Sequence, residues 1–209
     1  MNIAVIGAGK VGTALGSGWA KEGHHICYGV RDPESDASRR LESEALGTQV
    51  ATNGEAARAA DVVVLATPWG ATESAVRECG NLAGKIVIDA TNPLDAAFSG
   101  LDRGYTTSGG EQVARWAGGA EVFKTMHQVG FGLMDHPEFT HGLKPVMFVV
   151  GDGVGRPKVL QLVSELGFEA VDVGGLEYAR LLEPYAMLWI HLARSRGLGR
   201  DFAFSLLRK

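Results

Sequence analysis

The sequence predicts an α/β fold in which residues 1–120 form a doubly wound parallel sheet and residues 121–209 form a smaller α/β part packed on it. Two observations favour this fold. Short apolar runs, fit for buried strands, alternate with amphipathic or charged stretches, fit for helices. A glycine-rich segment also joins the first apolar run directly to the first amphipathic stretch, as in a parallel strand–turn–helix unit.

The first predicted unit carries the most informative motif. A strand at residues 3–6 is followed by the pattern G-x-G-x-x-G and by a helix that ends near residue 23. The three glycines allow a tight turn, the approach of a pyrophosphate to the backbone, and close packing of helix on strand. Free N–H groups at the helix start attract phosphate. The pattern predicts a Rossmann-type domain that binds a dinucleotide through Gly7, Ala8, Gly9, Lys10, Val11 and Gly12.

The same alternation continues as far as residue 93. Strands are predicted at residues 25–29, 49–51, 62–66 and 85–90, with helices at residues 33–46, from residue 52, and at residues 72–79. Thr52 and Glu55 have the spacing of a capping box, which marks a helix start. Residues 94–110 are rich in Gly, Ser, Asp and Thr and predict a long loop, and such loops are often functional.

Beyond the loop, helices are predicted at residues 112–116 and 156–166, and strands at residues 122–126, 146–150 and 168–173. A long helix follows at residues 176–194, and Pro184 is expected to bend it. This helix has more apolar surface than one narrow stripe requires, which fits either a homodimer interface or burial within its own domain. The apolar residues are Leu181, Leu182, Tyr185, Leu188, Trp189 and Leu192.

Composition narrows the classes of function. The 209 residues carry a formal net charge of −4 with both signs scattered, so no basic surface for nucleic acid is expected. No apolar segment reaches the roughly 18 residues that a membrane span needs. Cys27 and Cys79 form no C-x-x-C motif, and the six histidines lack metal-site spacing. We therefore expect a reduced, cytoplasmic setting, no membrane partner and no metal.

The end of the second strand indicates which dinucleotide binds. An NAD site usually has Asp or Glu there, on the ribose 2′-hydroxyl, whereas this chain has Val30 and Arg31. A guanidinium suits a 2′-phosphate, and Arg39 and Arg40 could assist it. Asp32 argues for NAD, and a solvated loop charge is the alternative interpretation of Arg31. The sequence favours NADP(H).

Eight short motifs, in their order and spacing, carry a resemblance to a known family. They lie at residues 7–12, 29–31, 66–69, 89–93, 124–127, 148–152, 166–168 and 179–183. Together they resemble the NADPH-dependent coenzyme F420 reductases, or F420H2:NADP oxidoreductases, over nearly the whole chain. The oxidoreductase domain of the STEAP metalloreductases is similar too, but those proteins carry a membrane haem domain that this chain lacks.

The resemblance implies a site at the carboxyl ends of the strands. Beside the glycine segment, the residues that would bind NADP(H) are Val30, Arg31, Thr67, Pro68, Asn92 and Pro93. His127 and Val129 would contact the acceptor, coenzyme F420 or a flavin, and His127 would orient the acceptor ring. Members of the family are often homodimers, so the resemblance also implies a homodimer with acceptor sites near the interface. Direct hydride transfer between two cofactors needs alignment and exclusion of water more than a protein acid or base.

Two departures and several alternatives remain open. Family members often have serine where this chain has Val30 and a basic residue where it has Ser35, which weakens recognition of a 2′-phosphate. Pyrroline-5-carboxylate reductases and 2-hydroxyacid dehydrogenases share the glycine pattern, but they need a substantial helical domain where strands continue here. An NADPH-dependent flavin or ferric reductase, or a regulatory NADP-binding protein without turnover, also fits, because no catalytic side chain is diagnostic.

Overall fold

The computed structural model describes residues 1–44, 47–95, 97, 99–135, 137–139 and 142–209. Its described strands form one eight-stranded sheet. They are β1 (Asn2–Ile6), β2 (His25–Val30), β3 (Thr48–Thr52), β4 (Val62–Leu65), β5 (Ile86–Asp89), β6 (Glu121–Lys124), β7 (Val146–Gly151) and β8 (Glu169–Gly174). The strand order is β3-β2-β1-β4-β5-β6-β7-β8, which confirms the predicted doubly wound α/β fold of Rossmann type.

Helices cover both faces of the sheet. They are α1 (Lys10–Lys21), α2 (Asp36–Glu44), α3 (Asn53–Ala59), α4 (Trp69–Glu78), α5 (Gly109–Trp116), α6 (Arg156–Glu165) and α7 (Ala179–Arg194), with 3₁₀ turns at Phe131–Leu133 and Leu176–Tyr178. The predicted capping box of Thr52 and Glu55 opens α3. The predicted end of the second helix, at residue 46, lies outside the described residues.

The strands alternate their side chains between two cores. Val5 and Val64 pack with Leu15 of α1 on one face, whereas Ile6 and Leu65 pack with the helices of the other face. All of these side chains are fully buried. The continuous apolar runs of the sequence therefore reflect strands that are covered on both sides, as parallel strands usually are.

One strand junction differs from the rest. Strands β1 to β6 are parallel, and β7 and β8 are parallel to each other, but β7 pairs with β6 in the antiparallel direction. The sequence did not predict this reversal. Because β6 also pairs with β5, the sheet is continuous across residue 120. The division of the chain at this residue stays a prediction.

The apolar face of α7 is shared between the chain's own tail and solvent. The helix continues through Pro184. The Phe202 ring stacks on Trp189 with centroids 5.1 Å apart, and Phe204 packs on Tyr185 at 5.1 Å. Next to these residues on the same apolar face, Leu181 is 63% exposed and Leu188 49% exposed. Burial within the chain thus accounts for part of the apolar surface of this helix, and the homodimer stays a prediction.

Two further searches of the described residues concern membranes and metals. No helix there is long and apolar enough to cross a membrane. Nor do three or more His, Cys, Asp or Glu side chains of those residues gather into a group that could hold a metal ion. Cys27 and Cys79 are free thiols.

A buried ionic network holds the carboxyl ends of β5 and β6 against α5 and α7. Lys124 Nζ lies 2.9 Å from Asp89 Oδ2 and 3.4 Å from Glu183 Oε1, and the three side chains are at most 1% exposed. The Glu183 carboxylate accepts the N–H groups of Gly109 and Gly110 at 2.9 and 3.0 Å. These groups begin α5, where the helix dipole favours negative charge. One cation thus fixes two strands and two helices.

We predict that Lys124→Met destabilises the fold by about 3–5 kcal/mol, because it leaves two carboxylates buried without their cation. Lys21→Met is the matched control. Lys21 is 62% exposed and lies 3.5 Å from Asp135, so its loss should cost about 1 kcal/mol or less. Urea unfolding of both variants measures the difference. Equal effects would contradict the role assigned to the network.

Candidate active site

The glycine-rich turn packs as its sequence pattern requires. Gly7 has a φ of +104°, and a Cβ there would lie 2.9 Å from the Ala66 carbonyl oxygen. A Cβ on Gly12 would lie 1.9 Å from the Gly7 carbonyl oxygen, so only glycine lets α1 approach β1 this closely. A Cβ on Gly9, in contrast, would meet no atom within 4 Å. The space over Gly9 is therefore open to a pyrophosphate.

The start of α1 lies where the strand order reverses. β1 is paired with β2 on one side and with β4 on the other, and ligands of doubly wound sheets bind at such a switch point. Gly9 is the N-cap and makes no side-chain capping bond, and the first turn has no acidic residue. The helix end therefore keeps N–H donors and partial positive charge for an anion.

The end of β2 presents one unpaired cation. Arg31 is exposed and forms no ion pair or side-chain hydrogen bond within the described part of the chain. Asp32 is engaged locally, because its Oδ1 accepts the Glu34 N–H at 3.0 Å. Arg39 pairs with Glu34 at 3.0 Å. Of the neighbouring charges, Arg31 is thus available to a 2′-phosphate, whereas Asp32 closes its own loop.

The carboxyl ends of β4 and β5 lie on the same side of the sheet as those of β1 and β2, and together these ends form the carboxyl edge of the sheet. Thr67 and Thr72 share a hydrogen bond of 3.0 Å between their hydroxyl groups, and Pro68 is the N-cap of α4. Asn92 Nδ2 donates to the carbonyl oxygen of His127 at 3.1 Å, which joins the ends of β5 and β6. Pro93, buried, follows directly.

The segment after β6, residues 125–133, has an unusual backbone conformation near its start. Met126 has a φ of +60°, which is uncommon for a residue other than glycine and clusters at functional sites. The Gln128 side chain then makes the hydrogen bonds that a neighbouring strand would make with Phe148 of β7. Its amide NH₂ donates to the Phe148 carbonyl oxygen at 2.7 Å, and its amide oxygen accepts the Phe148 N–H at 3.0 Å. These constraints fix His127 and Val129, both of which are buried.

Buried polar atoms without partners gather at this edge. Six such side-chain atoms occur in the described residues, and four of them belong to Asn92, Thr125 and His127. Native proteins pair nearly all buried polar atoms, so an unpaired group of this kind calls for a ligand or an ordered water. These atoms have almost no accessible surface in this structure, so the polar groups of a nicotinamide or of an acceptor ring would supply the missing partners once neighbouring side chains move. The residues present therefore fit a cofactor of this kind.

His127 is a neutral group in this setting. The ring is 3% exposed, and neither ring nitrogen forms a hydrogen bond of regular geometry, although the Thr125 and Leu182 backbones lie close enough to interact with it. Burial, and then the charge of Lys124, hold the pKa of His127 well below its usual 6.5, although the Thr125 and Leu182 backbones act in the opposite direction. A neutral imidazole offers one donor and one acceptor, which suits an orienting contact better than proton donation.

Two partly open cavities of the described residues lie away from this edge. One of about 440 Å³ lies beside α3 and the start of β2, lined by Ile26, Cys27 and Ala56. Another of about 400 Å³ lies between Ser99 and the end of α7. Neither contains a residue of the glycine turn or of the segment after β6. A dinucleotide lies along an open crevice, so the residues at the carboxyl ends of the strands, and not a cavity, locate the predicted cofactor site.

Sequence reasoning missed two parts of the site. The sequence predicted no separate role for Thr125, which lies within the motif at residues 124–127, and none for the network of Asp89, Lys124 and Glu183. A signal was present in the residues: Lys124 ends an apolar strand, and lysine is almost never fully buried unless it is paired. The partners could not be named, because Glu183 lies 59 positions further along the chain.

We predict that Gly9→Val abolishes dinucleotide binding while the fold persists, because the new side chain enters only the open space over the turn. Its unfolding free energy should fall by about 1 kcal/mol or less. Gly12→Ala is the structural contrast and should cost about 3 kcal/mol or more, because its Cβ overlaps the Gly7 carbonyl. Urea unfolding and a binding titration measure both. A folded Gly9→Val protein with unchanged affinity would contradict this account.

We also predict that His127 makes stability depend on pH. The unfolded chain protonates near pH 6.5, whereas the folded chain resists protonation, so the native state loses stability as pH falls below about 6.5. In this range the free energy of unfolding should fall less steeply for His127→Gln than for wild type, by up to about 1.4 kcal/mol per pH unit. Urea unfolding between pH 5 and 8 tests this, with exposed His25→Gln as control. Identical slopes for wild type and His127→Gln would refute it.

Comparison with known proteins gives the same assignment as the residues. Residues 2–93 match a family model described as NADP oxidoreductase, coenzyme F420-dependent. The F420-dependent NADP reductase of Methanothermobacter marburgensis is 32% identical to this chain, over 92% of each protein. Its counterpart in Methanothermobacter thermautotrophicus is also 32% identical, over 92% of this chain and 89% of the relative.

Two solved structures resemble the whole chain. A crystal structure from Arthrobacter sp. FB24, described as a candidate F420-dependent NADP-reductase, has a TM-score of 0.90 and 32% identity over all of both chains. A hypothetical protein from Sinorhizobium meliloti has a TM-score of 0.77 and 25% identity over 100% of this chain and 96% of its own. With these relatives and with the glycine turn described above, the chain belongs to the family of coenzyme F420-dependent NADP oxidoreductases.

Proposed function

We propose that this protein is an NADPH-dependent oxidoreductase that transfers hydride between NADP(H) and coenzyme F420. The observation that carries the proposal is the single edge of the sheet at which an open glycine turn and a set of unpaired buried polar atoms occur together. Both curated relatives are named F420-dependent NADP reductases, which supports the choice of the two cofactors.

The glycine turn and the strand ends hold the nucleotide in this proposal. The N–H groups at the start of α1 bind the pyrophosphate, above the open space at Gly9. Arg31 binds the 2′-phosphate, and Val30 lies beside the adenosine. Further along the edge, Thr67, Pro68, Asn92 and Pro93 border the nicotinamide and its ribose. This path follows the carboxyl ends of β1, β2, β4 and β5.

The segment after β6 orients the acceptor. His127 and Val129 contact the acceptor ring, and His127 supplies a hydrogen bond from a neutral imidazole. When bound, the two cofactors would supply the hydride chemistry, from one ring to the other. The chain's contribution is to align the two rings and to exclude water, since the cofactors carry the chemistry. This division of labour agrees with the absence of a charged acid–base pair from the described residues of this segment.

Assembly and location are parts of the same proposal. Leu181 and Leu188 leave part of α7 apolar and exposed, which favours a homodimer formed through this helix. Light scattering at micromolar concentration, with and without NADPH, decides this point. The two free thiols favour a reduced setting and therefore the cytoplasm. The net charge of −4 disfavours nucleic acid as a partner.

We predict that Arg31→Ala weakens NADPH binding by about 1–3 kcal/mol, the loss expected when a charge-assisted contact is removed. NADH lacks the 2′-phosphate, so its affinity should change little and serves as the matched control. Calorimetric titration of both nucleotides with both proteins measures the effect. Equal wild-type affinity for NADPH and NADH would contradict the role of Arg31.

The proposed reaction predicts that deuterium from C4 of NADPH appears at C5 of reduced F420. Anaerobic mixing with NADPH labelled on either face of C4, followed by mass spectrometry, tests this. Gly9→Val, which should not bind NADPH, is the control for deuterium transfer that does not depend on protein-bound NADPH. Reduction of FMN, FAD or a ferric chelate but not of F420 would instead indicate a flavin or ferric reductase. Tight NADPH binding without reduction of any acceptor would indicate a regulatory protein.

A further inference from the structure

Two cations from distant parts of the chain meet at one aromatic ring. Lys10 Nζ lies 5.1 Å from the centroid of the Phe131 ring, and Arg200 Cζ lies 5.6 Å from the same centroid. Each contact is of the cation–π kind, which is weak at an exposed site. The contacts themselves therefore do not explain why two like charges share this position.

The three residues lie between the two halves of the proposed site. Lys10 is part of the glycine turn, and Phe131 follows two positions after Val129, in the segment after β6. Arg200 belongs to the tail beyond α7. The tail backbone is close at this point, because a Cβ on Gly130 would lie 3.3 Å from the Arg200 carbonyl oxygen.

The tail that carries Arg200 is anchored rather than loose. The indole N–H of Trp189 donates to the Phe202 carbonyl oxygen at 2.9 Å, and the Phe202 ring stacks on the same indole. The Phe204 carbonyl oxygen accepts the N–H of Val146 at 2.9 Å. These bonds tie the tail to α7 and to β7, so the guanidinium is held next to the Phe131 ring.

Among the described residues, neither cation has an anionic partner. No ion pair or side-chain hydrogen bond joins Lys10 or Arg200 to any described residue. Asp201, next to Arg200, pairs with neither cation, and Asp135, four positions after Phe131, pairs with Lys21 instead. A protein of net charge −4 thus keeps two positive charges at one aromatic ring beside its crevice, without an anionic partner among the described residues.

We propose that Lys10 and Arg200, placed at the Phe131 ring, form a binding site for the anionic side chain of the acceptor, that is, for its phosphate or carboxylate groups. The inference rests on the proposed function, because it assigns the second cofactor's charged part to the same crevice. The guanidinium binds an oxyanion through paired N–H donors, and the lysine adds a point charge. An acceptor ring without such a side chain loses this contact.

The test compares coenzyme F420 with FO, the deazaflavin that has the same ring system but lacks the phosphate and carboxylate groups. Equilibrium dissociation constants on the NADP⁺-loaded protein are measured by deazaflavin fluorescence, and KM values are measured in parallel. Wild type should bind F420 at least about tenfold tighter than FO, and Arg200→Ala should reduce this ratio at least about fivefold. Arg200→Glu should reduce it further, and Arg200→Lys should keep part of it.

The control is Arg196→Ala, an exposed arginine of the same tail, which should leave the ratio unchanged. Raising the salt concentration from about 50 mM to about 500 mM should weaken the binding of F420 more than the binding of FO. Equal wild-type affinity for F420 and FO, or an equal loss of both in Arg200→Ala, would overturn the site while the proposed function stands. A loss confined to NADPH affinity would assign Arg200 to the nucleotide and also overturn it. Failure of both deazaflavins to bind would overturn the proposed function, and this site with it.

Discussion

The approach of α1 to β1 is the constraint on which the rest of the site depends. With only hydrogen at Gly12, the helix packs directly against the Gly7 carbonyl, and the backbone turns sharply with a positive φ at Gly7. The helix start is thereby brought to the switch point between β1 and β4. The open space over Gly9 follows from the same geometry. A side chain at Gly7 or Gly12 would displace the helix, whereas one at Gly9 would only fill the crevice.

The second half of the edge is built at the expense of stability. Each unpaired buried polar atom costs about 1–3 kcal/mol if no partner reaches it. The fold tolerates several of them at Asn92, Thr125 and His127, together with a left-handed backbone at Met126. The network centred on Lys124 offsets this locally, since it ties β5 and β6 to two helices. Strain and unpaired groups beside a rigid support are typical of a site made ready for a ligand.

The sequence predicted what local patterning controls. The apolar runs, the glycine turn and the capping box of α3 depend on neighbouring residues, and the structure has all three. It did not predict the antiparallel pairing of β6 with β7, because the side-chain pattern of a buried strand is the same in either direction. Nor did it predict the Gln128 contacts with Phe148 or the tail over α7. Those contacts join residues far apart in the chain, and no single-sequence pattern encodes them.

Diffraction from crystals grown with NADP⁺ tests most directly the claim that the carboxyl edge of β1, β4, β5 and β6 is the cofactor site. We predict the pyrophosphate on the N–H groups that begin α1, the 2′-phosphate at Arg31, and the nicotinamide beside Asn92, with new partners for the unpaired atoms nearest to it. A nucleotide bound in the cavity beside α3, or one at the glycine turn whose nicotinamide lies away from Asn92 and the segment after β6, would contradict the account.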